Sequence, residues 1–180
     1  MRSPTISIPL LTPNQCDEIV KNSTKWVEGT VFKFGQLITQ KQFRSVQICN
    51  DGISENLENE IFKTIFLTNS SSFRYHLEGY NKKDPPLVFK YSADREDHYV
   101  WHTDSLPGDS VRKLSFTIQL TNPAEYDGGD LEFMPAIGDK KIREQGVMTI
   151  FPSYKVHRVS PVTRGVRHTI VGWIYGPDFR

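Results

Sequence analysis

Leu114-Ser115-Phe116-Thr117-Ile118-Gln119-Leu120 alternates apolar and small polar side chains without a break. Successive side chains of an extended chain leave opposite faces, so this run is a half-buried β-strand. Arg167 to Tyr175 alternates in the same way, and shorter strands fit Leu87–Tyr91, Asp130–Phe133, Val147–Phe151 and His157–Val159. Turn signals separate them: Pro107-Gly108, Asn122-Pro123, Asp127-Gly128-Gly129, Gly138-Asp139 and Pro152-Ser153.

Upstream the period is helical. Thr12-Pro13-Asn14-Gln15 starts a helix, with Thr12 as cap, Pro13 in the first turn and Gln15 closing a capping box. The apolar stripe Cys16, Ile19, Val20 carries it to about Lys25. Ser54 starts a second helix, in which Leu57, Ile61 and Ile65 with Phe62 and Phe66 make the stripe to about Leu67, before Ser70-Ser71-Ser72. Helices first and short antiparallel strands afterwards predict a mainly β fold with flanking helices, α+β in class. The architecture is a two-sheet sandwich or jelly roll. Neither a repeat nor a linker interrupts the chain, so a single domain is expected over residues 1–180. Its helical N-terminal part is 1–80 and its core about 87–176, with Pro85-Pro86 punctuating the junction.

The 180 residues are 37% hydrophobic and 24% charged, a globular balance. With 22 basic against 21 acidic residues the net charge is +1, which gives no general pull toward nucleic acid. Arg112-Lys113 and Lys140-Lys141 with Arg143 read as solvated surface. Two cysteines are too few for a disulfide framework, and Cys16 reads as a buried thiol on the apolar side of its helix. No segment approaches the roughly 18 apolar residues of a membrane span. A reducing compartment, the cytoplasm, is the expected location.

His102-Thr103-Asp104 carries the chemistry. Residues i and i+2 of an extended segment point to one side, so His102 and Asp104 can grip one ion. His157, after the Val147–Phe151 strand and its turn, is placed to be the third ligand, although alone it reads better as a structural histidine. Two imidazoles and a carboxylate form the facial set that holds iron(II) and leaves other positions open. Arg167, Thr169, Val171 and Trp173 share one face of the last strand. An inward arginine beside a hydroxyl is costly unless an anion lies between them, and a guanidinium grips a carboxylate bidentately. The bland alternative is an internal salt bridge from Arg167. His76 reads as exposed, His98 as surface or substrate-facing, and His168 points away from Arg167.

His102-Thr103-Asp104, the Tyr126-Asp127-Gly128-Gly129-Asp130-Leu131 turn, and the run from Phe151-Pro152-Ser153 through His157 to Arg167 resemble the iron(II)/2-oxoglutarate-dependent dioxygenases. The prolyl-4-hydroxylase-like branch fits, and within it the PKHD-type hydroxylases. The resemblance covers about Leu87 to Tyr175. It implies a double-stranded β-helix (jelly-roll) core buttressed by the N-terminal helices, with His102, Asp104 and His157 as iron ligands. Arg167, assisted by Thr169, would bind the distal carboxylate of 2-oxoglutarate, and Tyr91 matches the tyrosine that supports it. Gly128-Gly129 would lead into the next core strand. The implied reaction is hydroxylation of a C–H bond with succinate and CO2 as co-products. Iron(II), 2-oxoglutarate and O2 take part, with ascorbate as reductant.

Ser92-Ala93-Asp94-Arg95-Glu96-Asp97 departs from the family in being charged and glycine-free, which makes residues 92–101 a candidate substrate-facing loop. Tyr99 and Trp101, beside the first ligand, are the candidate substrate-facing aromatics. A peptidyl (prolyl-type) or free amino-acid substrate is favoured, and a nucleic acid disfavoured. Two other readings stay open at this point: a zinc-dependent hydrolase on the same triad, and a non-catalytic jelly-roll binding module.

Overall fold

The computed structural model describes residues 5–33, 36–105, 111–134 and 142–177. Strand β1 (Ile6–Pro9) precedes the first helix, α1 (Pro13–Asn22). The capping box forms: Thr12 accepts from the Gln15 N–H, and the Gln15 side chain accepts from the Thr12 N–H at 2.9 Å. The helix stops short of Lys25 because Asp51 takes the Thr24 N–H and hydroxyl at 3.1 and 2.8 Å. Five short strands follow: β2 (Val27–Glu28), β3 (Val31–Lys33), β4 (Gln36–Ile38), β5 (Arg44–Ser45) and β6 (Gln47–Cys49). The first 80 residues are therefore not simply helical. Strands of two to four residues are too short to show a period, and β1, β2, β5 and β6 are fixed by pairing with partners elsewhere.

Helix α2 (Glu55–Ser71) starts where Ser54 accepts from the Leu57 N–H. It continues past Leu67 through the serine run, because the Thr68 and Ser70 hydroxyls donate back to the carbonyls of Thr64 and Leu67 at 2.8 and 2.7 Å. The later strands are β7 (Leu87–Ser92), β8 (His98–His102), β9 (Val111–Gln119), β10 (Asp127–Gly128) and β11 (Leu131–Phe133). They continue with β12 (Val147–Pro152), β13 (His157–Val159), β14 (Val162–Arg164) and β15 (Val166–Gly176).

A seven-stranded sheet runs β1-β12-β9-β15-β7-β6-β2, with every pairing antiparallel. A smaller sheet runs β11-β13-β8-β5, and β10-β14 and β3-β4 form two-stranded ribbons. This is the mainly β jelly roll with two helices that the sequence predicts. One face of the large sheet meets the helices: Ile118, Ile150 and Ile170 join Cys16, Ile61 and Ile65 in one core cluster, all fully buried. Each such side chain is worth about 1.5–3 kcal/mol of burial. The other face carries Ser115, Thr117, Gln119, Arg167 and Thr169, also buried. The alternation of residues 114–120 thus separates a core from an interior polar cavity, not a core from solvent.

Two expectations about charged stretches are corrected. Residues 92–101 are not a loop, since a 3₁₀ turn (Ala93–Arg95) leads directly into β8. Buried Asp97 organises the turn by accepting from the Ser92 N–H (2.9 Å), Arg95 Nε (3.1 Å) and the Ser45 hydroxyl. Arg112-Lys113 is not solvated surface either. Lys113 is buried, and the Arg112 guanidinium lies 3.6 Å over the Trp173 ring while donating to Asp84. Arg143 binds Asp130 and the Gly128 carbonyl. Lys140-Lys141, Pro107-Gly108 and Gly138-Asp139 lie outside the described residues. Among the described residues no helix is long and apolar enough to cross a membrane.

Asp97→Ala would strip three donors of their shared acceptor, one of them the guanidinium of Arg95. The expected cost is about 3–5 kcal/mol, read as a lower urea midpoint at unchanged slope.

Candidate active site

A bulge in β8 builds one wall of the cavity. His102 lies opposite His157 on β13, but Tyr99, rather than Val100, lies opposite Val159. The extra residue turns Tyr99 and His102 to the same side, and their rings stack 3.5 Å apart at 15°. Trp101 is turned the other way, with the Arg158 guanidinium 4.7 Å over its ring and Arg158 held by Glu132. Of the two aromatics read as substrate-facing, Tyr99 lines the cavity and Trp101 is outside its lining.

Asp104 leaves β8 and is tied to the turn after β12 by its N–H donating to the Ser153 carbonyl at 2.9 Å. One carboxylate oxygen lies 3.6 Å from His102 Nε2 and the other 3.4 Å from His157 Nε2. The three ligand atoms all fall within 4.8 Å of one another. Each imidazole points its Nδ1 at a carbonyl, His102 at Val100 (2.7 Å) and His157 at Lys155 (2.9 Å). A carbonyl can only accept, so Nδ1 carries a proton in both rings and Nε2 is the atom that each turns toward Asp104. Burial, with His157 beside it, pushes His102 down to about 4, so its contact with Asp104 is not an ion pair at neutral pH. Burial alone would raise the Asp104 carboxyl. The positive charge that the two imidazoles carry when protonated in acid, with the Ser115 hydroxyl donating at 2.7 Å, outweighs it and holds Asp104 below the usual carboxylate range. Phe151 meets the His157 ring edge-on at 4.8 Å and excludes water from that side.

Across the cavity, Arg167 is 2% exposed. Its Nε donates to the Gln119 side-chain oxygen at 3.1 Å, whereas its Nη1 is buried and has no hydrogen-bond partner. Tyr91 pairs in register with Arg167, and its ring lies 5.4 Å from the guanidinium carbon. Burial pushes the Tyr91 phenol up to about 12, so it keeps its proton. Thr169 is in the same wall, but its hydroxyl donates to the Ile118 carbonyl at 2.8 Å. Gly129, at φ +62, presses on Arg167: a Cβ there would stand 3.0 Å from Arg167 Cδ and 2.9 Å from Val162 Cγ2. The Gly128-Gly129 turn therefore also gives the arginine room. Tyr91, Arg167 and Thr169 share with His102, Asp104 and His157 one cavity of about 700 Å³, large enough for a small organic acid and part of a second molecule.

The remaining histidines stand apart. His76 is exposed, and His98 is engaged with the carbonyls of Glu96 and Gln42. His168 is on the helix side of β15 beside Trp26 and Thr121, where burial, then Lys90 and Arg167, push it down to about 4. Sequence reading missed Ser115 and Gln119, the polar positions of the strand that opened it, which hold Asp104 and Arg167. It also missed Arg44, which lines the cavity from β5.

Residues 87–175 match the family described as the 2OG-Fe(II) oxygenase superfamily. A PKHD-type hydroxylase of Nitrosomonas europaea is 35% identical over 79% of this chain and 64% of its own length. One of Janthinobacterium sp. (strain Marseille) is 29% identical over 92% of this chain and 75% of its own length. Among solved structures, a prolyl hydroxylase from Trichoplax adhaerens, in complex with a hypoxia inducible factor peptide, superposes with a TM-score of 0.74. The two are 19% identical, and the match covers 95% of this chain and 83% of that one.

Ser115→Ala removes the hydroxyl that orients Asp104. Loss of such a supporting bond costs about 10–100-fold in metal affinity, which a Co(II) titration of the variant against the parent would measure.

Proposed function

The chain belongs to the 2OG-Fe(II) oxygenase superfamily, and from that membership and the open groups of its cavity we propose that it hydroxylates a C–H bond at the expense of 2-oxoglutarate. One observation carries the reading. A buried guanidinium keeps an N–H without an acceptor in the same cavity as two imidazole Nε2 atoms and a carboxylate grouped as metal ligands would be. An uncompensated buried cation costs several kcal/mol, so an anion belongs at Arg167 and a cation at the triad. A 2-oxo acid with a second carboxylate meets both demands. A zinc-dependent hydrolase would use the triad and leave Arg167 without a task, and a binding module would need neither.

His102, Asp104 and His157 are the groups that would hold iron(II). Bound there with 2-oxoglutarate and O2, the metal would supply the oxidising power, with 2-oxoglutarate giving the two electrons and leaving as succinate and CO2, and with ascorbate needed only to return oxidised iron to iron(II). The protein's own work is positioning. The carbonyls of Val100 and Lys155 fix both imidazole tautomers. Arg167, anchored by Gln119, sets the direction of the co-substrate, and the neutral Tyr91 hydroxyl is available as a further donor. Thr169 contributes shape to that wall, because its own proton is given to a backbone carbonyl. Tyr99 covers the His102 ring on the side from which a substrate would approach.

A peptidyl, prolyl-type substrate or a free amino acid is the proposed target. The peptide bound by the Trichoplax enzyme supports the first, as do the PKHD-type relatives. Two buried free thiols, Cys16 and Cys49, fit a reducing compartment, and the cytoplasm is the proposed location.

Asp104→Ala should abolish 2-oxoglutarate-dependent succinate release, because two imidazoles alone do not retain the ion. Arg167→Ala should keep Co(II) affinity within a few-fold while raising the 2-oxoglutarate needed for half-maximal succinate release by about 100-fold, the worth of a charged bidentate contact. Equal 2-oxoglutarate requirement in parent and variant would remove Arg167 from the assigned role. Release of succinate by neither protein at any 2-oxoglutarate concentration would remove the reaction itself.

A further inference from the structure

Arg167 is not the only guanidinium in the cavity. Arg112 is neutralised by Asp84, whose carboxylate also accepts from the Tyr175 hydroxyl. Arg44 is different. It rises from β5, opposite Tyr99 of β8, and its guanidinium carbon lies 4.9 Å from the Tyr99 ring centre and 5.0 Å from that of Phe89. Its Nη1 donates to the Thr30 carbonyl at 2.7 Å, and its Nε is buried with no hydrogen-bond partner. Among the described residues no carboxylate pairs with it. Ring contacts of this kind are worth about 0.5–2 kcal/mol, and they leave the buried Nε of this half-buried side chain without an acceptor.

The side chains of Arg44 and Arg167 line the same cavity and lie against neighbouring rings of one strand. Phe89 and Tyr91 are alternate residues of β7, both line the cavity, and their ring centres are 6.4 Å apart. Arg44 sits against the first and Arg167 against the second. The fields of both cations work against burial at the Tyr91 hydroxyl, Arg44 the more strongly.

We propose that Arg44 is a second positioning residue for 2-oxoglutarate, so that the distal carboxylate is held by two guanidinium groups beside Tyr91 rather than by Arg167 alone. The inference rests on the 2-oxoglutarate reading above and gives the site a sharper preference. A 2-oxo acid that ends in a methyl group leaves two guanidinium groups without a counter-ion, the buried one of Arg167 and the half-buried one of Arg44. Discrimination against such acids is correspondingly greater than a single arginine provides.

The test is calorimetric titration of the Mn(II)-loaded full chain with 2-oxoglutarate and with 2-oxovalerate, which carries a methyl group where 2-oxoglutarate carries the distal carboxylate. In Arg44→Gln, 2-oxoglutarate should bind about tenfold more weakly or worse, the scale of a lost charged hydrogen bond, while 2-oxovalerate stays within about twofold of the parent. Arg44→Lys, which keeps the charge and loses the fork, should recover part of the loss. Equal weakening of both acids would overturn the proposal, because Arg44 would then act on the metal end through the Tyr99–His102 stack. Unchanged affinity for both would overturn it as well, leaving Arg44 a packing residue. Failure of the parent to bind 2-oxoglutarate at all would be a different result and would sink the parent reading together with this one.

Discussion

The structure depends on keeping one guanidinium charged inside a sheet. Arg167 is on β15, the central strand of the seven, between β7 and β9, and is almost wholly buried. A buried charge demands partners, and the protein supplies only some of them: Gln119 for one N–H and a neutral phenol alongside. The remaining N–H is left without a partner, and the proposed function assigns it to a ligand. That incomplete satisfaction, costly in an empty site, is what converts a β-sandwich interior into a binding cavity with a preferred charge.

The rest of the architecture supports the charge and the metal group facing it. Helices α1 and α2 cover the apolar face of the large sheet, so the opposite face is free to be polar without exposing the core. The bulge in β8 brings Tyr99 and His102 onto one side, and the Ser153 carbonyl draws Asp104 toward both imidazoles. Gly129 lets the chain pass against the Arg167 side chain where any Cβ would collide. Asp97 locks the segment entering β8, so the metal group stands on a strand with a fixed start rather than on a loop. Rigidity of this sort holds reacting groups in place at no entropic cost during the reaction.

Much of this was legible in the chain, and the omissions have physical causes. The long strands read correctly because each keeps a period of two over many residues, and α1 read correctly because its capping box is a local device. His102, Asp104, His157 and Arg167 could be picked out as candidates because few residue types do such chemistry, and the fold brings all four to one cavity. The short strands β1, β2, β5 and β6 were invisible, since their stability comes from partners distant in sequence. Arg44 was missed for the same reason: only the pairing of β5 with β8 brings it to the cavity. The polar positions 115, 117 and 119 were visible as alternation but assigned to solvent, because a period of two does not say what lies on either side. Trp101 neighbours His102, so alternation alone turns it away from the cavity, whereas Tyr99 reaches the cavity only through a bulge, which leaves no mark in the sequence.

Opposite charges at the two ends of one cavity are the central claim, and a single titration addresses it. Under anaerobic conditions, iron(II) and then 2-oxoglutarate are added to the protein while the visible spectrum is recorded. A weak metal-to-ligand absorption band that grows with 2-oxoglutarate and saturates at one equivalent per chain is the predicted result. Tight iron binding with no band at any 2-oxoglutarate concentration would contradict the account, because the metal group and Arg167 would then not share a ligand.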